Sequence, residues 1–309
     1  MTLTIQVLVT GLAAGGVYGL VAVGHSLLYR LTGIIHLAYG DLIGIAIFTT
    51  LFVAAGTGPV TQHTGEGIRF YAGLVVGLAF CMGAGAFTYV LVQPYLARGS
   101  TLGWVAIVAA VAFAARAAIG AVFTRSGYVF PDPIPFRDIG RDGFIVMAGA
   151  SIQVRSFFVI AVALALAGIA GWTLRSTRWG RGLQAIAADS EGARIVGVPV
   201  DLFVALAFGL VGGLAALAAI VAAPGGAVDA DTGALLGLKG LVAALAVRFG
   251  SPLQAMVAGL VLGVVESGFA NIHIGGLELG PSYREILPIA FVLLLVALRP
   301  QLEALEERE

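Results

Sequence analysis

The sequence predicts an all-α polytopic membrane bundle of about eight or nine transmembrane helices, one or two of them broken. Hydrophobic residues make up 59% of the 309 residues and charged residues only 11%, and the mean hydropathy is +1.00. Because soluble domains carry roughly 25% charged residues, this composition leaves too little polar surface to cover a body in water. We therefore expect a single transmembrane domain, spanning residues 1–309, in a lipid bilayer.

Apolar stretches long enough to cross the membrane set the expected helices. A helix needs about 20 such residues to span ~30 Å of hydrocarbon. In chain order the stretches cover residues 5–29, 31–56, 71–92, 102–123, 156–175, 202–223, 233–247, 253–270 and 284–299. The second would be about 39 Å long as one helix at 1.5 Å per residue, and the seventh is short and interrupted by glycine. Both are predicted to be broken or tilted. The first nine residues contain no Lys or Arg, so the first stretch is expected to be retained rather than cleaved as a signal peptide.

Glycine residues four positions apart occur in five of these stretches, and glycine accounts for 44 residues of the chain. In lipid, such faces let helix backbones approach closely where no hydrophobic force drives helices together. The spacing predicts a compact bundle with close helix pairs. The glycines are Gly11, Gly15 and Gly19, Gly40 and Gly44, Gly73 and Gly77, Gly233 and Gly237, and Gly259 and Gly263.

Two connecting segments define the predicted orientation. Residues 176–201 contain Arg178, Arg181 and Arg194, and positive side chains favour the cytoplasmic side. If this loop is cytoplasmic, alternation of the predicted spans puts the N-terminus outside the cell membrane and the C-terminus in the cytoplasm. Residues 124–155 then form the largest outer loop. Prolines at every second position from 131 to 135 forbid a helix there, so we expect an extended cap and a short hairpin on which a soluble partner docks, or else a plain connector.

The inner loop contains the pattern of two short helices. Leu183, Ile186 and Ala187 fall at helical spacing, and Asp189 or Ser190 suits the N-cap of a second helix. Two short amphipathic helices on the cytoplasmic face would form a docking surface. The alternative is a plain basic loop anchored in the interface by a tryptophan.

The motifs of several enzyme and binding classes are absent from the sequence. Lys239 is the only lysine and a leucine precedes it, which excludes the phosphate-binding loop of an ATPase. Cys81 is the only cysteine, so no disulfide or thiolate metal site can form within the chain. The net charge of zero, with no basic run longer than two residues, excludes a nucleic-acid partner. No zinc or serine-hydrolase motif occurs, and the histidines lie in separate segments. They are His25, His36, His63 and His273. We expect no catalytic residue, metal or cofactor in this chain.

Ionisable residues inside the apolar stretches are the first candidates for a functional site. A charge at bilayer depth is costly, so each is expected to face a cavity or a partner. They are Asp41, Arg116, Lys239 and Glu266. Glu266 follows Gly259 and Gly263 on one helical face. It is predicted to line or gate a path, or to make a structural hydrogen bond to a neighbouring helix.

Residues 33–41 interrupt the long second stretch with His36, Tyr39 and Asp41. A break near Gly40 would make Asp41 the N-cap or a first-turn residue of a half-helix 42–55. Its free N–H groups would then meet an anionic group of a solute. The alternative is a helix kink whose polar groups are satisfied internally. The predicted translocation path comprises His36, Tyr39, Gly40, Asp41, Lys239 and Glu266.

Taken together, seven segments resemble one family: the LivH-like permease subunits of branched-chain amino acid ABC importers. The segments are residues 16–20, 34–41, 177–181, 189–197, 250–252, 263–267 and 298–301. The resemblance covers nearly the whole chain. It implies a multi-pass protein of the bacterial cytoplasmic (inner) membrane that forms the path for branched-chain amino acids or similar small amino-acid-like solutes.

The resemblance also implies partners. Glu191, Gly192 and Ala193, with Gly197 four residues on, resemble the E-A-A-x-x-x-G coupling loop, with glycine in place of the first alanine. By this resemblance, residues 189–199, which begin at Asp189, would seat in a groove of the ATPase. The importer would contain two ABC ATPase subunits that bind ATP and magnesium, a second permease subunit and an extracytoplasmic substrate-binding protein.

The chain departs from the family pattern I-N-F-A-H-G-E in its second stretch. There His36, Leu37, Tyr39 and Asp41 replace Asn, Phe, His and Glu. The departure leaves an importer permease for urea or amides as one alternative. A second is a self-sufficient transporter in which Asp41 or Glu266 carries a proton. An intramembrane enzyme has little support, because no nucleophile and base can be paired.

Overall fold

The computed structural model describes most of the chain up to residue 269. The described residues are 2–58, 60, 64–65, 67–123, 127–134, 136, 143–147, 149–269, 286 and 290. The predicted span 284–299 lies outside them except at Ile286 and Ala290, and so do His63 and His273.

Helices account for nearly all regular structure in the described residues. They are α1 (Thr2–Thr32), α2 (Tyr39–Ala55), α3 (Ile68–Ala97), α4 (Thr101–Val122), α5 (Val154–Ser176), α6 (Arg178–Ala188), α7 (Ser190–Ile195), α8 (Val200–Ala222), α9 (Thr232–Ala246) and α10 (Pro252–Phe269). The strands are β1 (Tyr128–Val129), β2 (Phe144–Met147), β3 (Ala150–Gln153) and β4 (Ala227–Val228). Each predicted span up to residue 270 overlaps one of the helices.

Six of these helices are long and apolar enough to cross a membrane, namely α1, α3, α4, α5, α8 and α10. The apolar helices α2 and α9 are shorter, with 17 and 15 residues. The chain is therefore a polytopic helical membrane protein. It divides into two compact units: residues 1–23, 136–167 and 239–309 form the first, and residues 24–135 and 168–238 the second.

In the first unit, the predicted glycine faces of α1 and α10 pack against each other. A Cβ atom added at Gly15 would lie 2.7 Å from the carbonyl oxygen of Gly259, and one added at Gly11 would lie 2.7 Å from the Cα of Val264. Since real Cβ atoms do not approach backbone so closely, only glycine fits at these positions. The prediction of close helix pairs is confirmed here. The hairpin predicted in the outer loop is also present, with β2 and β3 antiparallel and Ile145 opposite Ile152.

In the second unit, α3 has one face of small residues and one of bulky apolar residues. Gly73, Gly77, Cys81 and Gly85 are all buried. A Cβ added at Gly73 would lie 2.7 Å from the carbonyl oxygen of Thr50 on α2. On the other face the side chains are exposed apolar ones, among them Val75, Phe80, Phe87 and Val90. Such a surface suits hydrocarbon and not water, which explains the composition of the chain.

The break between the first two spans is present, but not where the sequence placed it. Helix α1 ends at Thr32, where the N–H of Gly33 donates to the carbonyl of Tyr29 and Gly33 adopts a φ of 68°. Helix α2 begins at Tyr39. The predicted break in the second span is therefore confirmed, but it covers residues 33–38 and not Gly40, because Gly33 supplies the left-handed conformation that ends a helix. Gly40 instead lies inside α2, where a Cβ would come 2.9 Å from the Cα of Gly237.

Two predicted alternatives are decided. Ala38, with no side-chain hydrogen bond, is the N-cap of α2, so of the two places predicted for Asp41 it takes the one in the first turn and not the cap. Helix α9 is continuous from Thr232 to Ala246, so of the broken or tilted helix predicted for the span 233–247, the broken form is wrong. Its glycines are tolerated because they pack closely: a Cβ at Gly233 would meet the backbone of Gly40 and Gly44 on α2.

Candidate functional site

An ion pair in the first unit joins two residues of the predicted path. The Nζ of Lys239 on α9 lies 2.8 Å from Oε1 of Glu266 on α10 and 3.2 Å from the hydroxyl oxygen of Tyr18 on α1. The side chains of Lys239 and Glu266 are only 8% and 18% exposed. Because an unpaired buried charge is costly, the three helices are held in a register that keeps the charges together. Glu266 was predicted either to line a path or to hydrogen-bond a neighbouring helix. Its contact with Lys239 is a bond of the second kind.

A second ion pair lies in the second unit. Oδ1 of Asp41, in the first turn of α2, lies 2.6 Å from Nε of Arg116 on α4. The aspartate side chain is 2% exposed and that of the arginine 38%, so the guanidinium reaches the surface, where its Cζ lies 5.8 Å from the ring centroid of Phe113. A carboxylate in a first turn also interacts favourably with the helix dipole. Sequence analysis identified both residues but not their pairing.

Aromatic and imidazole rings surround the start of α2. The ring of Tyr39 lies 4.8 Å from that of His25 and 6.4 Å from that of His36, as centroid distances. The ring of His36 in turn lies 5.5 Å from that of Phe208 on α8. Both histidines and the tyrosine are buried. His25 was not predicted as a site residue, because no local pattern connects it with residues 36–39.

The predicted path residues thus fall into two groups. Lys239 and Glu266 meet in the first unit, whereas His36, Tyr39 and Asp41 lie around the start of α2 in the second. Gly40 presents a close-packed backbone to α9.

The predicted coupling segment forms a short helix with a side-chain cap. Asp189 ends α6 and begins α7, and its Oδ1 accepts from the N–H groups of Glu191 and Gly192 at 3.0 Å each. Ala193 is buried, while Glu191 is exposed. Gly197 has a φ of 86°, which favours glycine. The two short helices predicted from sequence are confirmed, with Asp189 as the cap.

Glycine at position 192 has a local cause. A Cβ there would lie 2.5 Å from Oδ2 of Asp189, so the alanine of the family pattern would displace the capping carboxylate. This chain combines an aspartate cap with a glycine three residues later.

Apolar side chains and a groove adjoin this helix. Ile195 and Val196 are 86% and 77% exposed. Beyond them an open groove of about 470 Å³ is lined by Arg194 and residues 197–202. Arg194 Nη2 contacts Oδ1 of Asp201 at 3.0 Å, and the Tyr89 hydroxyl donates to the same carboxylate oxygen at 2.9 Å. The base of the segment is thereby fixed to α8 and α3, while Ile195 and Val196 at its tip are exposed.

Ionisable residues paired between the apolar helices of a polytopic membrane protein are typical of transport proteins. The chain belongs to the family described as the branched-chain amino acid transport system permease component, which it matches over residues 7–298.

Two curated relatives align with this chain over nearly its full length, and a third aligns with part of it. The high-affinity branched-chain amino acid transport system permease protein BraD of Pseudomonas aeruginosa is 26% identical over 303 residues, which cover 96% of this chain and 94% of BraD. The corresponding protein LivH of Escherichia coli strain K12 is 23% identical over 301 residues, with 96% and 94% covered. The autoinducer 2 import system permease protein LsrC of Salmonella paratyphi B is 37% identical over 93 residues, 30% of this chain and 26% of LsrC.

The ion pair at the start of α2 gives a first prediction. Arg116→Leu leaves the buried carboxylate of Asp41 without its partner and is expected to cost about 1–3 kcal/mol of folding free energy. Asp41→Leu leaves a guanidinium that still reaches the surface, so its cost is expected to be smaller. Thermal unfolding in detergent measures both. If the two single variants and the double variant Asp41→Leu/Arg116→Leu all unfold at the wild-type temperature, the pair does not stabilise the fold.

Proposed function

We propose that this chain is the membrane-spanning permease subunit of an ATP-binding-cassette importer that moves branched-chain amino acids or a similar small amino-acid-like solute across the bacterial cytoplasmic membrane. The observation that carries the proposal is the family match over residues 7–298. The relatives BraD and LivH, whose names specify branched-chain amino acids, align with 96% of the chain, whereas LsrC aligns with 30%. The extent of the alignments favours the amino acid.

The proposed topology is one permease domain over residues 1–309 with about eight or nine spans. Residues 284–299 would supply the last span, and the short helices α2 and α9 would count among the others. The arginines of residues 176–201 support a cytoplasmic side for α6 and α7. The hairpin β2–β3 would then lie outside, within residues 124–155, where an extracytoplasmic substrate-binding protein would dock.

The proposed translocation path includes His36, Tyr39, Gly40, Asp41, Lys239 and Glu266. In each unit an acid contacts a base: the buried Asp41 contacts Arg116, and the partly buried Glu266 contacts Lys239. The two pairs therefore add no net charge to the lining. This suits an amino acid, which is itself a zwitterion without net charge.

The proposed coupling segment is 189–199, with Asp189, Glu191, Gly192, Ala193 and Gly197. Its support is the capped helix α7, the exposed Ile195 and Val196 and the likeness to the E-A-A-x-x-x-G loop. ATP and magnesium would bind to two partner ATPase subunits, because this sequence has no phosphate-binding loop. A second permease subunit would complete the pore.

Reconstitution tests the proposal. The chain is co-purified with partner ATPase, permease and binding-protein subunits and placed in proteoliposomes. Uptake of labelled leucine, isoleucine and valine is expected to require ATP and the binding protein, with urea and autoinducer 2 as competitor solutes. Uptake by the chain alone, driven by an imposed proton gradient without ATPase, would instead establish a secondary transporter.

Variants of the coupling segment sharpen the same experiment. Glu191→Lys and Gly197→Trp are expected to abolish substrate-stimulated ATP hydrolysis in a complex that still inserts into the membrane. The first reverses an exposed charge, and the second places a bulky side chain at a φ of 86°. Arg98→Glu reverses an exposed charge at the end of α3, outside α6 and α7, and is the matched control that should retain stimulation. Normal stimulation in both coupling variants would remove the assignment.

A further inference from the structure

The only charged residue of α4 reaches the surface of this spanning helix. Arg116 is flanked along α4 by apolar residues, of which Phe113 is 70% and Val122 43% exposed. The arginine side chain is itself 38% exposed. Hydrocarbon offers no hydrogen-bond partner, so a charged group at the surface of a spanning helix needs one from elsewhere. The exposed part of this guanidinium therefore calls for a polar group at the membrane surface.

The ion pair with Asp41 uses only part of the guanidinium. Its Nε donates to the carboxylate at 2.6 Å, and the aspartate side chain is 2% exposed. The two Nη groups carry the other four N–H donors of an arginine. Because the guanidinium reaches the surface, a ligand can approach these donors from outside the bundle. Parallel N–H donors of arginine match the oxygens of a phosphate group.

An exposed carboxylate, that of Asp231 just before α9, adjoins the ion pair. The packing at Gly44 on α2 brings the segments together: a Cβ there would lie 3.5 Å from Cδ1 of Ile119 on α4 and 3.9 Å from the carbonyl oxygen of Ala230. Gly44 and Ile119 each stand one turn beyond a member of the pair, and Ala230 directly precedes Asp231. Asp231 accordingly interacts electrostatically with both members of the pair.

The three charged residues lie near one end of their helices. Arg116 is six residues before Val122, the last residue of α4, which is about 9 Å along the axis at 1.5 Å per residue. Long basic side chains at such a depth extend toward the lipid head groups. Asp231 precedes Thr232, the first residue of α9. A surface cation and a surface anion thus stand together close to the level of the head groups.

We propose that Arg116 and Asp231 bind the zwitterionic head group of a phospholipid that carries a primary ammonium, of the phosphatidylethanolamine type. The phosphate would accept from the Nη groups of Arg116, and the ammonium would donate to the carboxylate of Asp231. The acyl chains would lie along the exposed apolar face of α4.

The charges select among phospholipids. Two carboxylates and one guanidinium already leave an excess negative charge at the site, so a lipid with net negative charge is disfavoured. A choline group has no N–H to donate to Asp231. The site depends on the proposed function only for its leaflet, which the proposed orientation makes the outer one.

Native mass spectrometry of the full-length chain tests the site. The purified protein is offered phosphatidylethanolamine, phosphatidylcholine and phosphatidylglycerol with identical acyl chains at equal concentrations. Wild type is expected to retain the first several-fold more than either of the others, and Asp231→Asn to retain it no more than phosphatidylcholine. Asp132→Asn is the matched control, because the carboxylate of Asp132 accepts from the N–H of Ile134, and it should keep the preference. Equal retention of all three lipids by wild type, or an unchanged preference in Asp231→Asn, would overturn the proposal.

A second variant and the assembled complex complete the test. Arg116→Lys keeps a charge beside Asp41 but loses the planar set of donors, so retention of phosphatidylethanolamine should fall. The lipid should also raise the melting temperature of wild type and not that of Asp231→Asn. A preference of wild type for phosphatidylglycerol, or loss of bound lipid when a partner permease assembles with the chain, would contradict the proposal. Lipid retention is measured without solute or ATP, so its failure is distinct from a failure of transport.

Discussion

Glu266→Leu is expected to destabilise the chain by about 3–5 kcal/mol, because it removes one partner of a buried ion pair. The ammonium of Lys239 would be left with the Tyr18 hydroxyl at 3.2 Å in a position where its side chain is 8% exposed. A single uncompensated charge inside a membrane bundle is among the most costly changes available. Thermal or denaturant unfolding of the purified chain measures the loss.

The double variant Glu266→Leu/Lys239→Leu is the control for this prediction. Apolar replacement of both partners of a buried pair is often neutral, so the double variant should recover most of the stability that Glu266→Leu loses. A double variant as unstable as the single one would show that the destabilisation does not come from the charge. The double variant also tests the proposed translocation path. Normal ATP-driven uptake by a stable double variant would show that Lys239 and Glu266 do not belong to that path.

Gly263→Leu is expected to have the second large effect. A Cβ at this position would meet the backbone of Gly11 and Gly15 on α1, and a backbone cannot move aside as a flexible side chain can. Overpacking of this kind costs about 1–3 kcal/mol and occasionally more. We expect a lower melting temperature and lower recovery of the assembled complex, with membrane insertion unaffected.

Gly168→Leu is the matched control on another spanning helix. A Cβ at Gly168 on α5 meets no described atom within 4 Å, so the same leucine should be accommodated there. Equal stability of the Gly263→Leu and wild-type proteins would mean that the glycine face of α10 does not contact α1.

Composition and apolar length were sufficient to predict a helical membrane protein and the approximate position of each described span, because they depend only on local sequence. The glycine spacing predicted close helix pairs, but not that α1 pairs with α10 and α2 with α9. The exact break before α2 was missed because glycines at positions 33 and 40 look alike in sequence, and only their backbone environment separates a helix end from a packed helix interior.

The candidate site was predicted as single residues and not as contacts. Asp41 and Arg116 are 75 positions apart, and Lys239 and Glu266 are 27 apart. The cost of burying a charge identifies all four, but the choice of partner depends on how the helices pack. The capping role of Asp189 was predictable because a cap and the N–H groups it binds lie within three residues of each other.

The burial of Lys239 has a consequence for the labelling chemistry of this protein. It is the only lysine in the sequence, and its Nζ is bonded to Glu266 and Tyr18. Amine-reactive reagents therefore find no exposed lysine side chain on the folded chain. Modification of Lys239 requires the pair with Glu266 to open, so its acylation rate would report, at a single defined position and without any engineered probe, how often α9 and α10 separate.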